Sequence, residues 1–392
     1  IAKAAYSLRS LGTRQATLAA TGDTVARADG KFVAQVRRPS DDALKSFTAA
    51  EVTDGTLVSF VTEPIQKTLS ALPFGVGSTW DVTVVDNSNY TFDCNNNTST
   101  VGCRLISSNL PAGTKYRAEF DFTTNSGDAS NLKLNRSSPF ATQTIVEGSN
   151  SIEFDFTADT VLQFRVGAGS NVFNATISNL TVTAIGNDGH VKTWYDQSVT
   201  NEAGDTATGN HATQATAASQ PKIVSAGALV TEGSLPTIEF DSVDDYLDST
   251  SDISSPLWSF ITHKATKDNS AVFATKSSDR WIGRRSTGAF LQVLTSVVSG
   301  GSYPSSAVIR TDEVNGSDSK IFSNGTSIAT GDSGSAQSNF GRIGAQGQLT
   351  STKFLGGNIQ ELIVYTSDQT DNRTAIEANI GETYSITGIP AY

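Results

Sequence analysis

The chain has no methionine, two cysteines, three histidines and only 17% charged residues among its 392 positions. His190, His211 and His263 stand far from either cysteine, so a Cys/His zinc site is not expected. No stretch approaches the roughly 18 apolar residues of a membrane-spanning helix, and no charged-then-apolar leader opens the chain, so membrane insertion is not expected. The net charge of −11 works against nucleic acid or any other polyanion as a partner. The chain begins at Ile1 and lacks Met throughout, which leads us to expect a processed chain or a piece of a longer one. The cysteines, Cys94 and Cys103, bracket the polar run CNNNTSTVGC. A disulfide closing that small loop is expected, with roughly 2–3 kcal/mol of chain-entropy stabilisation; two free thiols are the alternative.

What is abundant is glycine, serine, threonine and asparagine, the composition of an all-β, turn-rich protein long enough for two domains. Asn-x-Ser/Thr triplets, at Asn89, Asn174 and Asn324 among others, follow from that composition and read as turn chemistry. Tyr6, Leu8 and Leu11 are candidate core residues, and KFVAQVRR alternates as a strand does. A short helix is expected from Asp54 to Val61 with Asp54 as its cap. A last one is expected from about Asp371 to Tyr384, with Ile376, Ile380 and Tyr384 on one face. YRAEFDF places Tyr116, Ala118, Phe120 and Phe122 on one face of a strand. Ile359, Leu362 and Val364 do not alternate cleanly, so GNIQELIVY reads as a strand buried on both faces.

Three further pieces carry a resemblance: TWYDQS from Thr193, NHATQ from Asn210, and PTIEFDSVDDYLD from Pro236. The first two resemble a block of fungal arabinofuranosidase catalytic domains and phage tail fibres. The third resembles the hairpin of laminin-G-like and concanavalin-A-like lectin sandwiches. Together they imply a concanavalin A-like (laminin-G-like) β-sandwich with few short helices. In the resembling proteins AYSLR…VRRSSD leads almost directly to TWYDQS; here more than a hundred residues intervene. Their alternating segments, ending in ATISNLTVTAI, resemble a β jelly-roll carbohydrate-binding module. The expected division is a discontinuous sandwich at 1–77 and 188–392 with an inserted jelly roll at 78–187.

Trp194, Tyr195, Asp196 and Gln197, with Asn210 and His211, read two ways. Aromatic rings beside an amide and a carboxylate suit sugar recognition; the same residues could instead stitch a loop inside the sandwich. Glu239 and Asp241 lie two apart on a strand and share a face. With Asp244 they approach the E-x-D-x-x-E pattern of laminarinase-type hydrolases, whereas in the lectin-like hairpin such acids hold turn amides. Asp241, Asp244 and Asp245 are weak candidates for a metal, calcium being the one considered; no other cofactor is expected. Trp80, Trp258 and Trp281 read as core.

Glycoside hydrolysis needs two carboxyl groups about 5–5.5 Å apart for retention or roughly 6.5–9.5 Å apart for inversion. The turn matching the arabinofuranosidase acid, Arg342 to Gly347, holds no carboxylate, and Ala271 to Val293 holds only Asp279. The resemblance therefore implies a non-catalytic phage virion surface or fibre protein, extracellular, binding a host surface glycan. Such a protein would meet other virion proteins as a homo-oligomer. A purely structural decoration or appendage subunit, and a glycoside hydrolase on arabinose- or glucan-containing polymers, are the alternatives.

Overall fold

The computed structural model describes residues 2–11, 32–67, 70–71, 80–86, 89–95, 105–106, 115–130, 132–136, 141–155, 162–166, 172–186, 188–198, 209–334, 339–347 and 353–390. These residues are mostly antiparallel strands, in two all-β sandwiches. One compact unit comprises Ile1–Arg37, Leu44–Val61 and Asp188–Tyr392; the other comprises Arg38–Ala43 and Thr62–Asn187. The second unit thus begins before residue 78, because Ile65–Lys67 pairs with the long Val172–Ile185 strand. The first unit is left after Val61 and rejoined at Asp188, and these points are neighbours. A methyl group on Gly189 would come within 2.7 Å of Val61 Cγ2. The expected Cys94–Cys103 disulfide falls on Cys103, outside the described residues, as does the Trp80 side chain.

In the second unit, Lys115–Gly127 lies between Gly148–Asp155 and Val172–Ile185, with Asn89–Asn95 and Trp80–Asp86 beyond. Its alternation buries Tyr116, Ala118, Phe120 and Phe122. Those side chains meet Leu132, Leu134 and Phe164 of a three-stranded sheet (Ala141–Thr144, Leu132–Arg136, Leu162–Val166), closing a two-sheet core. Phe120 and Phe164 join the layers edge to face, 5.3 Å between ring centres.

The first unit is a larger sandwich. One sheet runs Lys222–Ser225, Ile238–Asp241, Gly356–Tyr365, Leu257–Ala265, Val308–Val314, Ser319–Ser323, Thr326–Gly331. Ala4–Ser7 takes the remaining edge of Gly356–Tyr365. The other sheet runs Phe32–Arg38, Gly189–Trp194, Ala212–Thr213, Leu247–Ser254, Asn339–Ile343, Ser270–Thr275, Trp281–Arg284, Phe290–Val293, Val297–Gly300. Gly189–Trp194 also pairs with Lys222–Ser225 and joins the sheets along one side. The main core lies between them, with Phe240, Ile261, Val308 and Ile359 from one sheet against Val36, Val191, Leu247, Phe273 and Ile343 from the other. Gly356–Tyr365 and Leu257–Ala265 are apolar on their outer face as well. There the Arg373–Tyr384 helix covers Trp258, Phe260 and Ile363 with Ile376, Ile380 and Tyr384. That helix starts at Arg373, two residues later than Asp371, and its N-cap Asn372 makes no side-chain cap bond. The early helix also differs from expectation: Ala49–Thr53 forms a helix of its own on a Thr48/Glu51 capping box. Asp54 ends it and accepts the Thr56 N–H before Thr56–Thr62.

Arg310 points into the sandwich with Val308 and Val314 and is fully buried. Its guanidinium grips Asp312 through two bonds (2.6 and 2.8 Å) and donates to the Gly283 and Leu291 carbonyl oxygens of the opposite sheet. Burial opposes the Arg310 charge, but Asp312 more than offsets this and holds the guanidinium above its usual pKa. His263 bonds Tyr303 beside it, and burial, then Arg310, push that imidazole down to about 3, so it is neutral. Breaking a buried pair on one side strands a charge and costs about 3–5 kcal/mol. Arg310→Met is therefore expected to lower stability by about that much in denaturant titration, and Arg310→Met/Asp312→Leu to recover part of it. A double variant weaker than the single one would contradict this account.

The adjacency of Val61 and Gly189 generates a second expectation. Replacing residues 64–187 by a short Gly-Ser linker should leave a soluble first unit that melts cooperatively; an insoluble or molten product would contradict independent cores.

Candidate functional site

The block that resembles known proteins most is interior. Trp194, Tyr195, Asp196, Gln197, Asn210 and His211 are all buried. Asp196 Oδ1 accepts from the Ala5 and Ser198 N–H groups, and Oδ2 from Asn210 N–H. Gln197 accepts from Leu11 N–H and donates to the Ser7 and Arg9 carbonyls. His211 Nδ1 accepts from Asp196 N–H, and the Tyr6 hydroxyl donates to the Asn210 carbonyl. Trp194 packs against Tyr6 and Tyr195 against His211. These polar groups tie the N-terminal strand to the chain after Trp194. The hydrogen bonds of Asp196, Gln197 and His211 fit the stitching reading, and the burial of all six side chains keeps them from the surface. Trp258 and Trp281 are core as well, and no large aromatic side chain is exposed among the described residues.

An open depression lies on the outer face of the Gly356–Tyr365 sheet, at the end away from the Arg373–Tyr384 helix, around Glu239 and Asp241. Ile238 and Phe240 point into the core, so Glu239 and Asp241 point outward. Across the sheet Lys222, Glu239, Asn358 and Lys264 form one row, and Asp241 opposes Gly356 in the next. Gly356 and Gly357 give the middle strand no side chain, and the depression over them is an open groove of about 420 Å³. Glu239, Asp241 and Ser242 form one rim; Lys264, Thr266 and Lys267 form the other. A methyl group on Gly356 would lie 2.9 Å from Ser242 Cβ and 3.0 Å from Lys267 Cβ. One on Gly357, whose φ is +143°, would strike the Lys264 carbonyl oxygen. Only glycine keeps both the groove and the strand pairing. Lys267 Nζ donates to the Ser242 carbonyl at 2.8 Å and closes one end. Lys264 is paired with Glu232 of the Thr231–Glu232/Leu235–Pro236 hairpin, which also reaches Asn358.

Lys264, Lys267, Asn358 and the two glycines escape a reading of sequence alone. The LGGN run signals a bend or a close approach, but only the pairing register shows which rims it separates.

Asp241, Asp244 and Asp245 have carboxylate oxygens within 4.8 Å of one another in the turn beside the groove. Asp241 Oδ1 accepts from the Val243 and Asp244 N–H groups, Asp245 Oδ2 from Asp241 N–H, and Asp244 Oδ2 from the Ser219 hydroxyl. This is the turn-holding role expected of the lectin-like hairpin. The remaining oxygens are a partial set for a hard cation, three against the six to eight that calcium takes. Burial, then the Asp241 charge, pushes the Asp245 carboxyl up to about 7. Its Oδ2 accepts the Asp241 amide inside the turn, and Asp245 does not line the groove. Asp279 accepts from the Gln346 amide. Arg342 is bound by Asp248 and the Gly347 carbonyl in the turn that lacks a carboxylate.

No protein-family model matches the sequence, and no curated protein matches it. Among solved structures the chain is similar to the N-terminal CBM22-1-CBM22-2 tandem domain of Paenibacillus barcinonensis Xyn10C. The identity is 8%, with 78% of this chain and 98% of that one covered, at a TM-score of 0.25. A TM-score that low carries no argument about this chain.

The raised Asp245 pKa fixes a sign. Its folded value of about 7 lies above the ordinary carboxylate value of 3.8, so folding takes up a proton in that window and this group's contribution to stability falls as pH rises through it. Asp245→Asn should therefore be more stable than the parent at pH 8, by roughly 1–2 kcal/mol after allowance for solvent screening. The gain should shrink towards about pH 4. Denaturant titrations at pH 8 and pH 5 check this; an equal difference at both would contradict it.

Proposed function

We propose that this is a non-catalytic glycan-binding protein of a bacteriophage virion surface or fibre, with the groove over Gly356 and Gly357 as its sugar site. One observation carries the binding half: an open outward groove whose rims carry polar and charged side chains. Its volume falls in the range of small-ligand sites. Among the described residues the Glu239 carboxylate accepts no hydrogen bond, and Asp241 spends Oδ1 alone on turn amides. The concanavalin A-like identity of the first sandwich, the jelly-roll identity of the second and the virion setting rest on the sequence blocks around Thr193, Asn210 and Asp241. Binding then uses hydrogen bonds from both rims in place of the aromatic platform expected from the sequence. Single-site affinity for a short oligosaccharide is on the order of 1 mM, so an adhesin of this kind works as a homo-oligomer held by other virion proteins.

The purely structural reading is favoured by one observation, the burial of Trp194, Tyr195, Asp196, Gln197, Asn210 and His211. A glycan array probed with monomeric and multimerised protein separates the two. Signal from the multimer that disappears in Asn358→Ala and in Lys267→Ala, with both variants still folded, is the expected result. Silence from monomer and multimer alike would leave the decoration role. No turnover of arabinofuranosyl or β-glucan substrates is expected. Hydrolysis above buffer that vanishes in Glu239→Gln would replace this proposal with the hydrolase reading.

A further inference from the structure

We infer that the groove selects saccharides bearing a free, protonated amine, hexosamine units without an N-acetyl group; this rests on the groove being the sugar site.

The charges around it are unevenly spent. Lys222, next to Glu239 across the sheet, is held by Asp188 at 2.7 Å. Lys264, on the far rim, is held by both oxygens of Glu232 at 3.2 and 3.1 Å. Each flanking lysine thus has a carboxylate partner of its own, although the Glu239 charge also acts on Lys222 across the strand pair; Glu239 itself has no hydrogen bond or close ion pair among the described residues. Asp241 spends only Oδ1, on turn amides. Glu239 and Asp241 are two residues apart on one face, so their Cα atoms lie roughly 6.6 Å apart. An ammonium group between two carboxylates at that spacing can donate to both, and three donors on one nitrogen suit it. Asp244 and Asp245 in the adjoining turn add further negative potential, with the Asp245 carboxyl partly protonated near neutrality.

Of the two lysines that line the groove, Lys267 has no carboxylate partner among the described residues. It closes the groove at Ser242, where it favours a hydroxyl or ring-oxygen acceptor on the ligand. Cation acceptors on one rim and a donor at one end match a sugar with an amine beside its hydroxyls. An N-acetyl group would replace the ammonium by a neutral, bulkier amide, and a uronate would meet Glu239 and Asp241 with like charge.

The test titrates the full chain with tetramers of glucosamine, of N-acetylglucosamine and of glucose, followed by NMR or another weak-affinity readout. It is run at low and high salt, at a pH where the amines are protonated. The glucosamine tetramer should bind roughly tenfold more tightly than the other two, and the advantage should collapse at high salt and in Glu239→Gln. Asp318→Asn removes the same charge from an exposed turn, so its unchanged affinity excludes general attraction to the acidic surface. Equal or tighter binding of an N-acetylated or neutral tetramer would overturn the amine inference and leave glycan binding standing. So would an advantage that survives in Glu239→Gln or falls equally in Asp318→Asn. Failure of all three tetramers also overturns it, and the glycan array then decides whether the broader proposal falls as well.

Discussion

The sandwich of the first unit depends on one buried charge. Arg310 lies in the main core, and its guanidinium bonds Asp312 on its own strand and two backbone carbonyls on the other sheet. Apolar packing between sheets is roughly proportional to area and indifferent to sliding. A planar fork of donors is not. The bonds to Gly283 and Leu291 fix where the Trp281–Arg284 and Phe290–Val293 strands sit over Val308–Val314. Gly283 reinforces this, because a side chain there would meet the Ser270 carbonyl oxygen. Phe290 packs over the guanidinium and stacks on Tyr303, so apolar and polar parts of the core share one arrangement.

With the two layers fixed, the outer face of the Gly356–Tyr365 sheet divides into two parts. At one end Trp258, Phe260 and Ile363 are apolar and the C-terminal helix covers them. At the other the strand changes composition, from LIVY to GGN, and the neighbouring strands turn Glu239, Asp241 and Lys264 outward. Removing side chains from the middle strand makes a groove without bending the sheet, and charged rims keep it open to water. The acidic turn at Asp241 to Asp245 belongs to the same architecture: its carboxylates hold the amides that let the chain reverse at the groove mouth.

Much of the secondary structure was legible because its physics is local. Alternation in YRAEFDF needs only the two-residue period of a strand, and the buried GNIQELIVY strand needs only its composition. The helices were legible in place but not in their ends. Asp54 has the chemistry of a cap, yet Thr48 and Glu51 cap a helix before it, and a cap is decided by which amide is left unpaired nearby. The site was half legible. Glu239 and Asp241 could be placed on one outward face, while Trp194 to Gln197, the best-matched residues, are buried with Asn210 and His211. A residue pattern does not record whether its polar atoms are already bonded.

The sequence by itself determined an all-β chain, its strand periods and its outward acidic pair, since these follow from side-chain spacing and composition within a few residues. Only the tertiary structure decided that residue 239 faces 358 and 264, that Asp196 spends its oxygens on amides as distant as Ala5, and that Arg310 reaches Gly283 and Leu291. Each of those pairs lies far apart along the chain. Their meeting depends on strand register, and register is set by the joint burial of both sheets.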